Sequence, residues 1–293
     1  MKEAPKITEI LKKKFTVSVE IVPPRNGAAM EDVFRELCYL RYYPIDFMSV
    51  TMGAAGSLRG GSITLSNIIQ NQLMLPCISH IVCRDHTQQQ IENLLMDLHW
   101  SGIRNVLALL GDIPVGTADG SAAQTTIQAH SFAYELVEQI KKLNKGEYLR
   151  RGGYDTPVAP IKGDFCIGVA SYPTSEHKER DMSSKLTAGA DFTITQMCFS
   201  IEQLKTLTKS TKSVPIIPGI KVFSNMRTAS FCEKHFGVVL PPELKVLLEA
   251  ENEKEIVNWY RNYIEKLKKH FPGVHIFVMK DLRIVGKVLE TIC

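Results

Sequence analysis

The sequence predicts a closed (β/α)8 barrel, eight parallel strands wrapped by helices, on three observations. Eight short runs of β type alternate with longer helical patterns along the 293 residues. Most of these runs are apolar on both faces, as expected for strands of a parallel sheet covered on both sides. Polar residues recur just past the ends of the runs, at Glu20, Thr51, Asp112, Tyr172 and Gln196. In such a barrel those ends converge on one face, where the chemistry is done.

The strands are expected over 15–21, 47–50, 77–82, 105–109, 165–169, 192–195, 215–217 and 274–278. Helical patterns follow them over 29–41, 62–73, 87–100, 131–143, 178–187 and 201–209, then 226–235, 242–250 and 253–270, and finally 282–292. Thr87 is placed to cap the start of the third helix, Gly102 to end it and Gly189 to close the fifth. The rival architecture, an open doubly wound sheet, usually carries a glycine fingerprint after its first strand. Here that strand runs into Glu20-Ile21-Val22-Pro23-Pro24, which cannot start a phosphate-cradling helix. The stretch 144–163, rich in Gly, Pro and Arg, joins a helix to a strand and is expected as a long loop on the opposite, non-catalytic face. With no internal repeat or composition break, 1–293 is expected to form one barrel domain, a fold that takes ~250 residues.

Composition narrows the function classes. The chain is 44% hydrophobic and 23% charged, with net charge +4, which is ordinary for a globular protein. Its basic clusters, Lys12 to Lys14 and Lys266, Lys268 and Lys269, are solvated helix ends rather than the aromatic-laced stripe that nucleic acid requires. No run of 18 apolar residues marks a membrane span, and the N-terminus lacks the apolar core of a secretion signal. The seven cysteines are irregularly spaced, without a Cys-x-x-Cys pair. They are expected as reduced, mostly buried thiols of a cytoplasmic protein, not as disulfides or a zinc site.

The strand ends supply the candidate chemistry. Alternation puts Val17, Val19 and Ile21 on one face of the first strand and Ser18, Glu20 and Val22 on the other. If the second face lines the barrel, Glu20 is a carboxyl in a partly apolar cavity, with a raised pKa suited to a general acid; otherwise it is a surface glutamate. Asp112 follows Gly111, whose missing side chain admits a ligand close to the backbone; a turn aspartate is the plainer use of this pair. Gln196 carries a donor and an acceptor together and can read the edge of a lactam-like ring, or merely cap a loop. His80 sits inside the third strand, where a lone histidine is more often a satisfied interior residue than a ligand or base. Tyr172 could line a flat ring or fill the core. The small residues after Thr51 let a large cofactor approach the backbone. Hydrolase and metal motifs are absent from the sequence.

The segments VSVEIVPPR, FMSVTMGA, ISHIVCRD, GIRNVLALLGD, GVASYP, AGADFTITQMCF and PIIPGIKVFSN, in this order, resemble the catalytic domain of methylenetetrahydrofolate reductases. The resemblance runs from Phe15 to about Leu289. It implies a barrel that holds FAD non-covalently, accepts hydride from NADH or NADPH, and passes it to methylenetetrahydrofolate in the one-carbon metabolism that leads to methionine. By motif, Glu20 matches the family's general acid and Asp112 the aspartate near the flavin and the pterin. Gln196 matches the pterin-binding glutamine. Thr51, Ala54, His80, Gly111 and Tyr172 match flavin-lining positions, and Lys185 matches a phosphate-contacting lysine.

Several positions depart from the pattern. Leu110 stands where the family commonly has arginine before Gly111-Asp112, and Met52 where a tyrosine is common. The segment from Tyr172 to Gly189 is shorter than usual, with His177 in the place of the usual histidine. Near the last strand Lys280-Asp281 replaces Asn-Arg, with Arg283 two positions later, and Thr228 replaces a glutamine. Three arrangements are compatible with these changes. Flavin is held differently, more weakly or as FMN; nicotinamide and folate meet without flavin; or electrons arrive through a partner subunit. A homo-oligomer fits any of them. The alternative to an enzyme is a non-catalytic or partner-dependent folate-binding subunit on the same barrel.

Overall fold

In the computed structural model the described residues are 3–112, 127–150, 159–173, 179–211, 214–278, 282–290 and 292. Eight strands, β1 (Thr16–Ile21), β2 (Phe47–Val50), β3 (Cys77–Val82), β4 (Asn105–Leu109), β5 (Cys166–Ser171), β6 (Phe192–Met197), β7 (Ile216–Ile220) and β8 (Gly273–Phe277), close into a barrel in sequence order. All neighbours are parallel, and β1 closes on β8 with Ser18 opposite His275 and Glu20 opposite Phe277. The (β/α)8 barrel expected from the sequence is therefore present.

The helices that follow each strand are α2 (Glu31–Leu40), α3 (Ser62–Asn67), α4 (Gln88–Trp100), α5 (Ala133–Asn144), α6 (Glu179–Thr187), α7 (Ile201–Thr211), α8 (Met226–Phe236), α9 (Pro242–Glu249), α10 (Glu253–Lys268) and α11 (Leu282–Leu289). Thr87 caps α4 as expected: its side chain accepts the Gln90 backbone N–H, and Gln90 answers to the Thr87 N–H. The second helical pattern divides, since α3 gives way to a π-helical turn over Ile68–Gln72.

One helix had no counterpart in the sequence reading. A five-residue α1 (Ile7–Leu11) precedes the first strand and closes the floor of the barrel. Ile7 and Leu11 pack there against inward-facing Phe47, Ile78, Leu107, Phe192 and Ile217. The Asn105 side chain fixes α1, accepting the Ile7 N–H at 2.9 Å and donating to the Pro5 carbonyl at 3.1 Å.

The barrel interior is thus layered. Its floor is apolar, whereas Ser18, Ser49, His80 and His275 are all buried above it. Outside the sheet, Val17, Val19 and Ile21 of β1 pack beneath the helices with Val33, Leu37 and Leu40 of α2. A fully buried aliphatic side chain contributes roughly 1.5–3 kcal/mol, so this outer shell fixes the register of β1. That register in turn sends Ser18 and Glu20 inward.

Six cysteines among the described residues are free, and five of these are buried. No helix among the described residues is long and apolar enough to cross a membrane. No group of three or more His, Cys, Asp or Glu among them could hold a metal ion.

Candidate active site at the strand ends

Glu20 stands near the end of β1 on its inward face, with 16% of its side chain exposed. The surface-glutamate reading is therefore excluded. Burial pushes its carboxyl up to about 8, and the Asp112 carboxylate adds to the rise. Its carboxylate oxygen lies 3.7 Å from His80 Nε2, close but beyond hydrogen-bond reach.

His80 corrects the expectation of a satisfied interior histidine. Neither of its ring nitrogens has a hydrogen-bond partner among the described residues. Burial pushes its pKa down to about 3, so the ring is neutral at physiological pH. A neutral imidazole beside a protonated carboxyl adds no net charge to the cavity, which keeps Glu20 in its acid form.

His275 was not singled out by sequence. It lies on β8 directly below this pair and is 1% exposed. Its Nδ1 meets Ser18 Oγ at 2.8 Å and its Nε2 meets Ser49 Oγ at 3.3 Å. Burial, with His80 nearby, lowers its pKa to about 3. The signal was available in Gly273-Val274-His275-Ile276-Phe277, where period-2 alternation puts His275 and Phe277 on the face opposite Val274 and Ile276.

The other strand ends carry the remaining candidates. Thr51 follows β2 and is 7% exposed; its N–H donates to Ile21 and its carbonyl accepts the Ser62 hydroxyl. Ala54 opens a 3-10 turn after Gly53, a residue at φ 64°. Leu110, Gly111 and Asp112 follow β4, and Gly111 has φ +94°. Its conformation favours glycine, and a Cβ there would also press on the Arg84 Cβ at 3.0 Å. Asp112 is exposed and still bears electrostatically on Glu20.

Tyr172 follows β5 and is partly buried. Lys185 on α6 is 4% exposed and donates from Nζ to the Ala170 carbonyl of β5 at 3.1 Å. Gln196 is partly buried near the end of β6, and its side-chain oxygen accepts the Met197 N–H at 2.9 Å. The β6–β7 register shifts between Ile194 and Met197, a bulge of the kind that re-aims side chains beside a site.

His177, Lys280 and Asp281 lie outside the described residues. Arg283, which stands two positions past the expected arginine, pairs with Glu253 on the outside of the barrel and is 73% exposed in its side chain. It does not replace a cation at the mouth. Thr228 spends its hydroxyl on Asn225, the cap of α8.

Fold and site together define a parallel α/β barrel with a largely enclosed acid where its strands end, the face on which such barrels carry their chemistry. The chain belongs to the methylenetetrahydrofolate reductase family, whose model matches residues 6–293. It is similar to methylenetetrahydrofolate reductase (NADH) 1 of Arabidopsis thaliana, 27% identical over 99% of this chain and 50% of that protein. It is also similar to 5,10-methylenetetrahydrofolate reductase of Salmonella typhimurium, 26% identical over 83% of this chain and 76% of that protein. The chain spans about half the length of the plant relatives it matches. Among solved structures, it shares its fold with an uncharacterized protein from Clostridium thermocellum that binds two copies of 5-methyl-5,6,7,8-tetrahydrofolic acid. That likeness has a TM-score of 0.58 at 15% identity, covering 97% of this chain and 96% of the other.

Proposed function

We propose that this barrel reduces 5,10-methylenetetrahydrofolate to 5-methyltetrahydrofolate, with electrons from NADH or NADPH passed through a bound flavin, FAD in the first instance. Family membership supports the folate chemistry. The observation that carries the reading is the Glu20 carboxyl, partly buried on the inward face of β1 and held up to about 8. An acid of that strength is protonated near neutrality and still able to give its proton away.

The residues present fit a flat, anionic cofactor. His80 offers two buried ring nitrogens without a hydrogen-bond partner among the described residues. Gly111, at φ +94°, turns the chain just past β4 and brings Arg84 close to the backbone there. A bound flavin would supply the step from two-electron donor to folate. In this reading Glu20 donates its proton to the imidazolidine ring of the substrate and opens it to an iminium. The Asp112 carboxylate steadies that cation, and the Gln196 amide pairs with the pterin edge. Thr51, Ala54, Leu110, Gly111, Tyr172 and Lys185 surround the cofactor. Reduced, buried thiols suit the cytoplasm, where we place the reaction.

The test is the visible spectrum of the purified protein, with its flavin identified by chromatography after denaturation. Bound FAD that is bleached by NADH or NADPH and restored by methylenetetrahydrofolate is the expected result. A colourless protein that binds folate and turns nothing over would instead identify a non-catalytic subunit.

A further inference from the structure

Arg84 follows β3 by two residues and is 8% exposed. Its backbone is fixed on both sides. The N–H donates to the Leu110 carbonyl at 3.1 Å, the carbonyl accepts from His86 Nδ1 at 2.8 Å, and an antiparallel bridge joins it to Gln128.

The side chain is not satisfied in the same way. Among the described residues Nε, though enclosed, has no hydrogen-bond partner, and the guanidinium makes no ion pair or hydrogen bond. Its direction follows from alternation along β3. Ile78 packs in the barrel floor and His80 approaches Glu20, whereas Cys77, Ile81 and Cys83 pack outside. Val82 and Arg84 both flank the space that a Gly111 side chain would fill, at 3.4 and 3.0 Å. Arg84 therefore continues the inward row above His80, at the barrel mouth.

A guanidinium with an idle, enclosed donor is costly unless an anion takes it. Asp85, next in the chain, makes no ion pair with the guanidinium among the described residues and donates its N–H to the Ile127 carbonyl at 2.8 Å; Asp112, one strand across, bears on Glu20. Leu110, bonded to the Arg84 backbone, is apolar, so no cation comes from β4 at that position. Arginine forms forked bonds to phosphate oxygens, and the reading above brings a phosphate-bearing nucleotide to this mouth.

Resting on that reading, we propose that Arg84 binds a phosphate of the flavin nucleotide, supplying from β3 the positive charge that Leu110 does not supply from β4. The phosphate of a nicotinamide nucleotide has the same chemistry, and the experiment separates the two sources.

The apoprotein and its Arg84→Met and Arg84→Lys variants are titrated separately with FAD, FMN, riboflavin and NADH. Flavin binding is followed by fluorescence quenching and NADH binding by calorimetry, with thermal melting as a check on folding. Losing a charge-assisted bond should weaken FAD and FMN about tenfold to a hundredfold in Arg84→Met. Riboflavin, which has no phosphate, should stay within about twofold under the same principle. Arg84→Lys should recover part of the loss, since the charge remains without the fork. Leu110→Arg placed on Arg84→Met should restore affinity from the adjoining strand.

Equal weakening of riboflavin would overturn the phosphate contact, and so would unchanged FAD affinity. Weakening of NADH alone would transfer the contact to the other nucleotide and overturn the proposal. If the unaltered protein takes up no flavin at all, the flavin reading itself fails and this inference with it. That result is distinct from a protein that binds flavin and ignores Arg84.

Discussion

Inside the barrel the Glu20 carboxyl and the His80 ring approach to 3.7 Å, His80 buried and Glu20 largely enclosed, both shifted toward their uncharged forms. Opposite charges would make this an ion pair. Burial decides otherwise, because separating charge in a dry cavity costs more than the pair returns. The result is a proton stored on an acid next to a base too weak to take it.

Stability should report that stored proton. A carboxyl raised from 4.5 to about 8 in the folded state holds its proton while the unfolded chain releases one. Its contribution is therefore lost as pH rises from 4.5 toward 8, by on the order of a few kcal/mol. Glu20→Gln should melt higher than the parent at pH 8, with the gap closing toward pH 4.5. Parallel melting curves across that range would show that Glu20 ionises normally.

The two histidines act in the opposite direction. His80 and His275 are both held down to about 3 by burial, so the unfolded chain binds protons that the folded one refuses. Stability should fall as pH drops from 6.5 toward 3. Replacing His275 by Asn should reduce the protons taken up on unfolding at pH 5, measured by calorimetry in buffers of different ionisation enthalpy. Unchanged uptake would contradict its neutral state.

Asp112 raises the Glu20 pKa through its charge. Asp112→Asn should move the alkaline limb of the folate reaction to lower pH and slow that reaction more than nucleotide oxidation. Unchanged folate kinetics would remove its electrostatic role.

Gly111 combines φ +94° with a 3.0 Å approach to the Arg84 Cβ. Gly111→Ala should cost about 1–3 kcal/mol in urea unfolding. A neutral substitution would mean that the turn after β4 relaxes freely.

Much of this site was legible in the sequence for a physical reason. Strand alternation and the closure of parallel strands place Glu20, Thr51, Asp112, Tyr172 and Gln196 at the same end without knowledge of contacts. What was not legible depends on closure itself. The helix Ile7–Leu11 is too short to show periodicity, and its role appears only when a barrel floor exists to be covered. The register shift between Ile194 and Met197 depends on how β7 approaches, with Gly219 so close to the Thr195 carbonyl that a Cβ there would collide with it. His80 was visible, but that it lacks a partner is set by strands far away in sequence. Arg283 shows the reverse: near the expected place along the chain, it faces Glu253 on the outside.

The most direct test of the central claim, that Glu20 is the proton donor of the folate reaction, is stopped-flow measurement of the two half-reactions in Glu20→Gln. Bleaching of the flavin by NADH or NADPH should persist near the parent rate, while reoxidation by methylenetetrahydrofolate falls by about a hundredfold or more, the scale of a lost general acid. Equal loss of both half-reactions, or of neither, would contradict it.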